Sequence, residues 1–150
     1  ILIPFLIKNL QPLKSPKVHK LVKSTWHGTR KDEKICHQVL LNKEAFETYI
    51  HHELKSYIDY TKQGDLCFWR STNGQEVDFI LHDSTAIEVT SKMTIAPKDL
   101  KGVRALKEEE LLKNYLLVYP GSDERVTEDG ISIVPYSTFI KHLWKGMYLW

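Results

Sequence analysis

Apolar and polar residues recur along the chain with two periods, and each period predicts a different element. A period of 3.6 residues predicts a helix over residues 43–62, with an apolar stripe made of Phe46, Tyr49, Ile50, Leu54, Tyr57 and Ile58. Asn42 is placed to cap the first turn, and Gly64 is placed to close the end. Glu44 suits the positive end of the helix dipole.

A period of two residues follows this helix and predicts three strands. The first two strands cover residues 65–71 and 76–82, and the turn between them contains Asn73-Gly74. Asn-Gly is typical of hairpins because both residues tolerate positive φ. A second turn at residues 82–85 leads to the third strand, residues 86–90.

The same alternation predicts which side chains share a face. Val77, Phe79 and Leu81 fall on one face of the second strand, and Asp78 falls on the other. On the third strand, the residues on one face are Glu88, Thr90 and Lys92. Acids on neighbouring strands are therefore expected to converge.

The remaining pattern completes the order of elements as αβββαβ, followed by β and α. Pro97 fits the first turn of a helix through residue 114, whose buried stripe is Leu100, Val103, Leu106 and Leu111. Two short apolar runs, residues 115–119 and 131–134, predict buried strands. Residues 121–130 predict a mobile acidic loop, and Ser137 is placed to cap a last helix that ends near residue 144.

Asp78 and Glu88 are the candidate metal ligands. Two carboxylates suit Mg²⁺, with Mn²⁺ as a substitute, because hard cations bind oxygen and keep waters for substrate phosphates. A lysine two residues after the glutamate would assist hydrolysis, but that position holds Thr90, and Lys92 is the candidate replacement. The alternative is that both acids are solvated residues of a half-buried sheet that needs no metal.

Glu47 is a third candidate because it lies beside the apolar stripe near the start of the first helix. It is placed to lean toward the two strand acids and to assist catalysis directly or through water. The alternative for Glu47 is a solvated residue that compensates the helix dipole.

Several linked motifs lie within residues 16–120. They are Phe46-Glu47, Phe68-Trp69-Arg70, Gly74-Gln75-Glu76-Val77-Asp78-Phe79, Ile87-Glu88-Val89-Thr90 and Pro97-Lys98-Asp99-Leu100-Lys101-Gly102. Together they resemble the PD-(D/E)XK nuclease-like superfamily. The resemblance is closest to the nuclease-like C-terminal domain of unknown function that follows AAA+ ATPase modules in bacterial and archaeal proteins.

This resemblance implies an α/β fold with a restriction-endonuclease-like αβββαβ core and a mixed central sheet flanked by helices. It also implies that Glu47, Asp78 and Glu88 form the acidic site, while Thr90 replaces the family's lysine. Two functions stay open. The first is a catalytically degenerate domain of an ATPase-family protein that binds nucleic acid or a partner, and the second is an active Mg²⁺-dependent DNA endonuclease. Thr90 favours the first because it cannot supply the lysine's positive charge.

Charge is distributed unevenly along the 150 residues. Residues 1–41 carry eight Lys/Arg against two acids, while residues 42–150 carry thirteen against seventeen, so the balances are +6 and −4. The first segment is interpreted as a basic remnant or linker of an upstream domain, and the second as the nuclease-like domain. The candidate residues for the phosphate backbone are Lys14, Lys17, Lys20, Lys23, Arg30, Lys31 and Lys34. A solvated linker is the alternative.

The sequence narrows the classes of protein further. It lacks a phosphate-binding Gly-x-x-x-x-Gly-Lys-Ser/Thr loop, so ATP hydrolysis is expected only from an upstream module in the longer chain. The apolar run at residues 1–7 is too short to span a membrane. Cys36 and Cys67 are isolated, which is typical of reduced cytoplasmic proteins.

Overall fold

The computed structural model describes residues 10–12 and 42–149. In this part of the chain a seven-stranded mixed sheet carries helices on both faces, and the strands lie in the order β1-β2-β3-β4-β5-β7-β6. The strands are β1 (Leu10–Pro12), β2 (Leu66–Arg70), β3 (Glu76–Leu81), β4 (Thr85–Val89), β5 (Asn114–Tyr119), β6 (Arg125–Val126) and β7 (Ser132–Pro135). The helices are α1 (Lys43–Thr61), α2 (Lys101–Lys107) and α3 (Tyr136–Trp144), and a 3-10 turn (Pro97–Leu100) precedes α2.

Helix α1 forms where the apolar stripe predicts it. Asn42 caps it, since its Oδ1 accepts a hydrogen bond from the Ala45 N–H at 3.1 Å. The buried residues of α1 are Phe46, Ile50, Leu54 and Tyr57. The predicted span is confirmed, but the predicted closing residue was wrong. Lys62, with φ of 55°, adopts the left-handed conformation that closes the helix, and Gly64 lies beyond it.

The predicted β2–β3 hairpin is confirmed, but its turn differs from the expected one. The Ser71 N–H donates to the Gln75 carbonyl at 2.8 Å, which leaves a three-residue loop. Only Gly74 of the Asn73-Gly74 pair has positive φ, at 78°. The loop therefore needs one residue in the left-handed region, and glycine supplies it without steric cost.

The sheet changes direction after β4, and this defines the fold class. Strands β1 to β4 pair antiparallel, whereas β4 pairs parallel to β5 and β5 pairs parallel to β7. The crossover from β4 to β5 passes through the 3-10 turn and α2. The predicted α/β class, with its αβββαβ order and mixed sheet, is confirmed.

Each face of the sheet has its own core. On one face α1 and α3 cover the side chains of Phe79, Leu81, Ile87, Val89, Leu116, Val118 and Val134. On the other face α2 and Leu100 cover Trp69, Val77, Ile80, Ala86, Tyr115, Leu117 and Ile133. Strands buried on both faces read as near-continuous apolar runs, which explains the sequences of β3, β4 and β5.

Four predicted boundaries or connections were wrong. The helix expected to reach residue 114 is a 3-10 turn followed by α2, which ends at Lys107. The expected acidic loop contains β6, which pairs antiparallel with β7, and Asp129 of this loop forms an ion pair with Arg104 of α2. Helix α3 begins at Tyr136, after Pro135, so Ser137 lies inside it and does not cap it. The third strand begins at Thr85 and ends at Val89.

Among the described residues no helix has the length and apolar character needed to cross a bilayer. Residues 10–12 of the predicted basic segment form β1 and pair with β2. The division at residue 41 and the cytoplasmic location stay predictions.

Candidate functional site

A β-bulge in β3 determines where the candidate acid Asp78 lies. Cys67 pairs with Ile80 and Trp69 pairs with Val77, so three steps along β3 match two steps along β2. The extra residue reverses the alternation, so Val77 and Ile80 pack in one core while Phe79 packs in the other. The predicted shared face of Val77, Phe79 and Leu81 was therefore wrong.

Asp78 and Glu88 nevertheless come together. Phe79 pairs with Ile87, and continuing this antiparallel register by one step sets Asp78 opposite Glu88. Asp78 Oδ2 accepts a hydrogen bond from the Val89 N–H at 2.8 Å, which fixes its carboxylate across the β3–β4 pair. The two acids lie where β3 begins and β4 ends.

Burial makes this acid pair resist ionisation. Burial raises the pKa of Asp78 to about 7, with a further upward effect from the charge of Glu47. Burial likewise raises the pKa of Glu88 to about 9, and the neighbouring charge of Asp78 adds to it. Two acids this close titrate as a pair, so one of them retains a proton near neutral pH unless a cation replaces it.

Glu88 carries the clearest sign of a missing partner. Its Oε2 atom is buried, and no hydrogen-bond donor of the described residues reaches it. Buried carboxylate oxygens are normally paired, so this one needs either a proton or a cation. The donor set of two carboxylates is one that Mg²⁺ accepts.

The pair is small for a metal centre built from protein side chains alone. Within residues 42–149, no group of three or more His, Cys, Asp or Glu side chains is arranged to hold a metal ion. Mg²⁺ is commonly held by one or two carboxylates and completes its octahedron with water and substrate oxygens. The site fits that mode of binding and not a closed metal cage.

Glu47 lies on α1 and is half-buried. Burial raises its own pKa, with Lys43 acting in the opposite direction. Its charge acts on both strand acids, raising the pKa of Asp78 and of Glu88. Glu47 is therefore close enough for its charge to affect the Asp78–Glu88 pair. The alternative, a solvated Glu47 that only compensates the helix dipole, does not predict this effect.

Thr90 and Lys92 lie beyond the end of β4. Thr90 is buried, its N–H donates to the Val118 carbonyl at 3.0 Å, and its hydroxyl accepts from the Lys92 N–H at 3.4 Å. The predicted alignment of Lys92 with Glu88 along a strand was wrong, because the strand ends at Val89. The Lys92 ammonium group forms an ion pair with Asp99 in the 3-10 turn.

Lys43 is the residue that the sequence reasoning missed. It is the first residue of α1, and it lines a cleft that Glu88, Thr90 and Lys92 also line. Its positive charge lowers the pKa of Glu47, Asp78 and Glu88. The spacing of four residues between Lys43 and Glu47 on one helix was the available signal.

The candidate backbone-binding residues of the first segment, Lys14, Lys17, Lys20, Lys23, Arg30, Lys31 and Lys34, lie outside the described residues. The basic apron that they were expected to form stays a prediction.

The fold and this acid pair define an α/β domain with a partly buried carboxylate site at the end of a mixed sheet. Residues 43–139 match a family described as Domain of unknown function (DUF4143). The match covers more than half of the chain, which therefore belongs to this family. No curated protein and no solved structure matches the chain.

Proposed function

We propose that this chain is a nuclease-like domain, the C-terminal part of an ATPase-family protein, that binds nucleic acid with a divalent cation and does not cleave it. The observation that carries the proposal is the partly buried pair Asp78–Glu88, in which the buried Glu88 Oε2 atom has no donor within the described part of the chain. A cation on these two carboxylates would offset their repulsion and present open coordination positions to phosphate oxygens.

The likeness to the PD-(D/E)XK superfamily supports nucleic acid as the ligand. That likeness rests on the linked motifs around Glu47, Asp78 and Glu88, and the αβββαβ order agrees with it. Mg²⁺ is the expected cation and Mn²⁺ a substitute for it. Asp78 and Glu88 would hold the cation, and Glu47 would act on it through water.

Two features argue against cleavage. Thr90 lies at the position where the PD-(D/E)XK superfamily has a lysine, and its hydroxyl group carries no charge. Lys92, the candidate replacement, has its ammonium group engaged by Asp99. A cation bound here would therefore hold a phosphodiester without the positively charged group that assists attack by water.

Binding and cleavage of DNA by the wild type and two variants test the proposal. We expect the wild type to retain supercoiled and linear DNA more tightly with Mg²⁺ than with a chelator, and to leave both uncut. Asp78→Ala/Glu88→Ala should lose the Mg²⁺ dependence. Thr90→Lys should acquire slow, Mg²⁺-dependent cleavage because it restores the missing charge.

The outcomes separate the two functions. Cleavage by the wild type that disappears in Asp78→Ala/Glu88→Ala would replace the binding function with the active endonuclease. A DNA affinity that changes neither with Mg²⁺ nor with Asp78→Ala/Glu88→Ala would overturn the proposal altogether.

A further inference from the structure

The cleft beside the acid pair has a volume of about 310 Å³ and is lined by residues from both faces of the sheet. Lys43 reaches it from α1, and Lys98 and Lys101 reach it from the 3-10 turn and α2. Lys98 and Lys101 are three residues apart, the spacing at which side chains of a 3-10 turn project from the same side. Three lysines from three elements thus share one concave surface.

The acids that line this cleft leave the three lysines unpaired. Asp99 is engaged by Lys92, and Glu76 forms an ion pair with Arg70 at 3.0 Å. None of Lys43, Lys98 and Lys101 forms an ion pair with a residue that the structure describes. Glu88 is the remaining acid of the lining, so the cleft carries an excess of positive charge whether Glu88 is ionised or not.

Gly102 fixes the wall that carries Lys98 and Lys101. A Cβ atom at this position would lie 1.9 Å from the Glu76 carbonyl oxygen, so α2 approaches the start of β3 more closely than any other residue would permit. Leu100 and Val103 bury the inner side of the same segment. The two lysines are therefore held on a packed wall.

We propose that Lys43, Lys98 and Lys101 form a binding site for phosphate groups, occupied by the backbone of a nucleic acid that also reaches the Asp78–Glu88 pair. This inference rests on the proposed function and adds the residues that hold the backbone. Lysine binds phosphate as a point charge and does not need a fixed geometry. The cleft is wide enough for a phosphate with its sugar, at the lower limit of ligand pockets.

The salt dependence of DNA binding by the full chain tests the site. The variants are Lys43→Gln, Lys98→Gln, Lys101→Gln and the triple variant, and the probe is a short double-stranded DNA. Each lost phosphate contact should lower the slope of log K against log salt by about 0.9 and weaken binding roughly eightfold at 0.1 M salt. All three lysines are exposed, so circular dichroism should show an unchanged fold.

Lys145→Gln is the matched control. Lys145 is exposed and follows Trp144, whose ring packs against Tyr57 and Tyr60 at the far end of α1. Lys43 and Tyr60 are separated by about 26 Å along that helix. This substitution removes one positive charge outside the cleft, and we expect it to leave the slope unchanged.

The possible results distinguish this inference from the proposed function. If the triple variant keeps the slope of the wild type, the inference fails, and a Mg²⁺ dependence that still requires Asp78 and Glu88 would leave the proposed function intact. A reduced slope with no Mg²⁺ binding to the acid pair would support the phosphate site and remove the cation from the account. Inorganic phosphate or a mononucleotide that displaces the DNA at micromolar concentration would overturn the nucleic-acid backbone as the occupant.

Discussion

Glu88 is the residue on which the chemistry depends. Its carboxyl group is largely removed from water, and it lies beside Asp78 with one oxygen atom that no described donor reaches. Burial and the neighbouring Asp78 disfavour the ionised form of this carboxyl group, so it needs a proton or a cation. The protonation state of Glu88 therefore depends on whether the site holds a cation.

Glu88→Gln tests this burial through the pH dependence of stability. The pKa of Glu88 rises from 4.5 to about 9 on folding, so the folded protein binds more protons than the unfolded chain between these values. The contribution of Glu88 to stability is largest below pH 4.5 and is lost as pH rises toward 9. Gln stays neutral, so we expect Glu88→Gln to be about as stable as the wild type at pH 4.5 and more stable at pH 9. The difference at pH 9 should be on the order of several kcal/mol, since one pKa unit corresponds to about 1.4 kcal/mol.

Urea unfolding at the two pH values measures this difference, with Glu108→Gln as the control for an exposed carboxylate. The same difference between wild type and variant at pH 4.5 and pH 9 would mean that Glu88 is not held protonated by its surroundings.

The sequence predicted the positions of the site's acidic residues better than those of its lysines. Strand alternation placed Asp78 and Glu88 together although one of the assumed faces was wrong, because neighbouring strands bring any opposed pair within reach. Lys43 was missed since its role depends on how α1 sits over the sheet. Its spacing of four residues from Glu47 indicates only that the two side chains share a helix face. Lys92 was misplaced because β4 ends at Val89.

Two features of the secondary-structure elements position the site. The first is the β-bulge in β3, and the second is the close approach of α2 to β3. The hairpin and the apolar stripes were readable from the sequence because turn residues and periodicity are local signals. The bulge was not readable, since an extra residue in β3 shows only against its pairing with β2.

Gly102→Ala should disturb the contact between α2 and β3. The added Cβ would meet the Glu76 carbonyl oxygen, a backbone atom that cannot turn aside. Overpacking of this kind costs about 1–3 kcal/mol. We expect that loss in urea unfolding together with weaker DNA binding, because the wall that carries Lys98 and Lys101 must shift.

Gly74→Ala is the control for this substitution, since a Cβ there meets nothing within 4 Å and only the positive φ is strained. Gly74→Ala should lose about 1 kcal/mol with no effect on DNA binding. Equal effects of the two substitutions on binding would argue against a role for the α2 contact in the cleft.

Asp99 holds the 3-10 turn through two separate bonds. Its Oδ2 accepts from the Ala96 N–H at 2.9 Å, and its Oδ1 accepts from the Lys92 ammonium group. Asp99→Ala should lose about 1–2 kcal/mol because it removes the capping bond. Lys92→Met should lose less than about 1 kcal/mol because the Lys92 side chain is half-exposed, so water screens the ion pair. Thermal unfolding of both variants decides whether the backbone bond or the ion pair matters more.

Across the whole molecule, the C-terminal segment is tied to the centre of the sheet by buried hydroxyl groups. The Tyr148 carbonyl accepts from Ser84 Oγ at 2.9 Å and from Thr85 Oγ1 at 2.8 Å. Thr85 is fully buried and also accepts from the Asn114 amide at 3.1 Å. This link joins residues more than sixty positions apart, so no local sequence pattern indicates it.

Thr85→Val should therefore destabilise the molecule as a whole. The isosteric change leaves the Asn114 amide without its acceptor and removes one of two donors to Tyr148, which we expect to cost about 1–3 kcal/mol in urea unfolding. Ser84→Ala should cost less because Thr85 still donates to the same carbonyl. A larger loss for Ser84→Ala would contradict this division of roles.

The proposed function requires that Asp78 and Glu88 together bind one divalent cation. Calorimetric titration of Mg²⁺ and then Mn²⁺ into the wild type and Asp78→Ala/Glu88→Ala at pH 8 measures it most directly. We expect one ion to bind to the wild type, with proton release as the raised pKa values require, and none to bind to the double variant. Absence of binding to the wild type, or equal binding to both proteins, would contradict it.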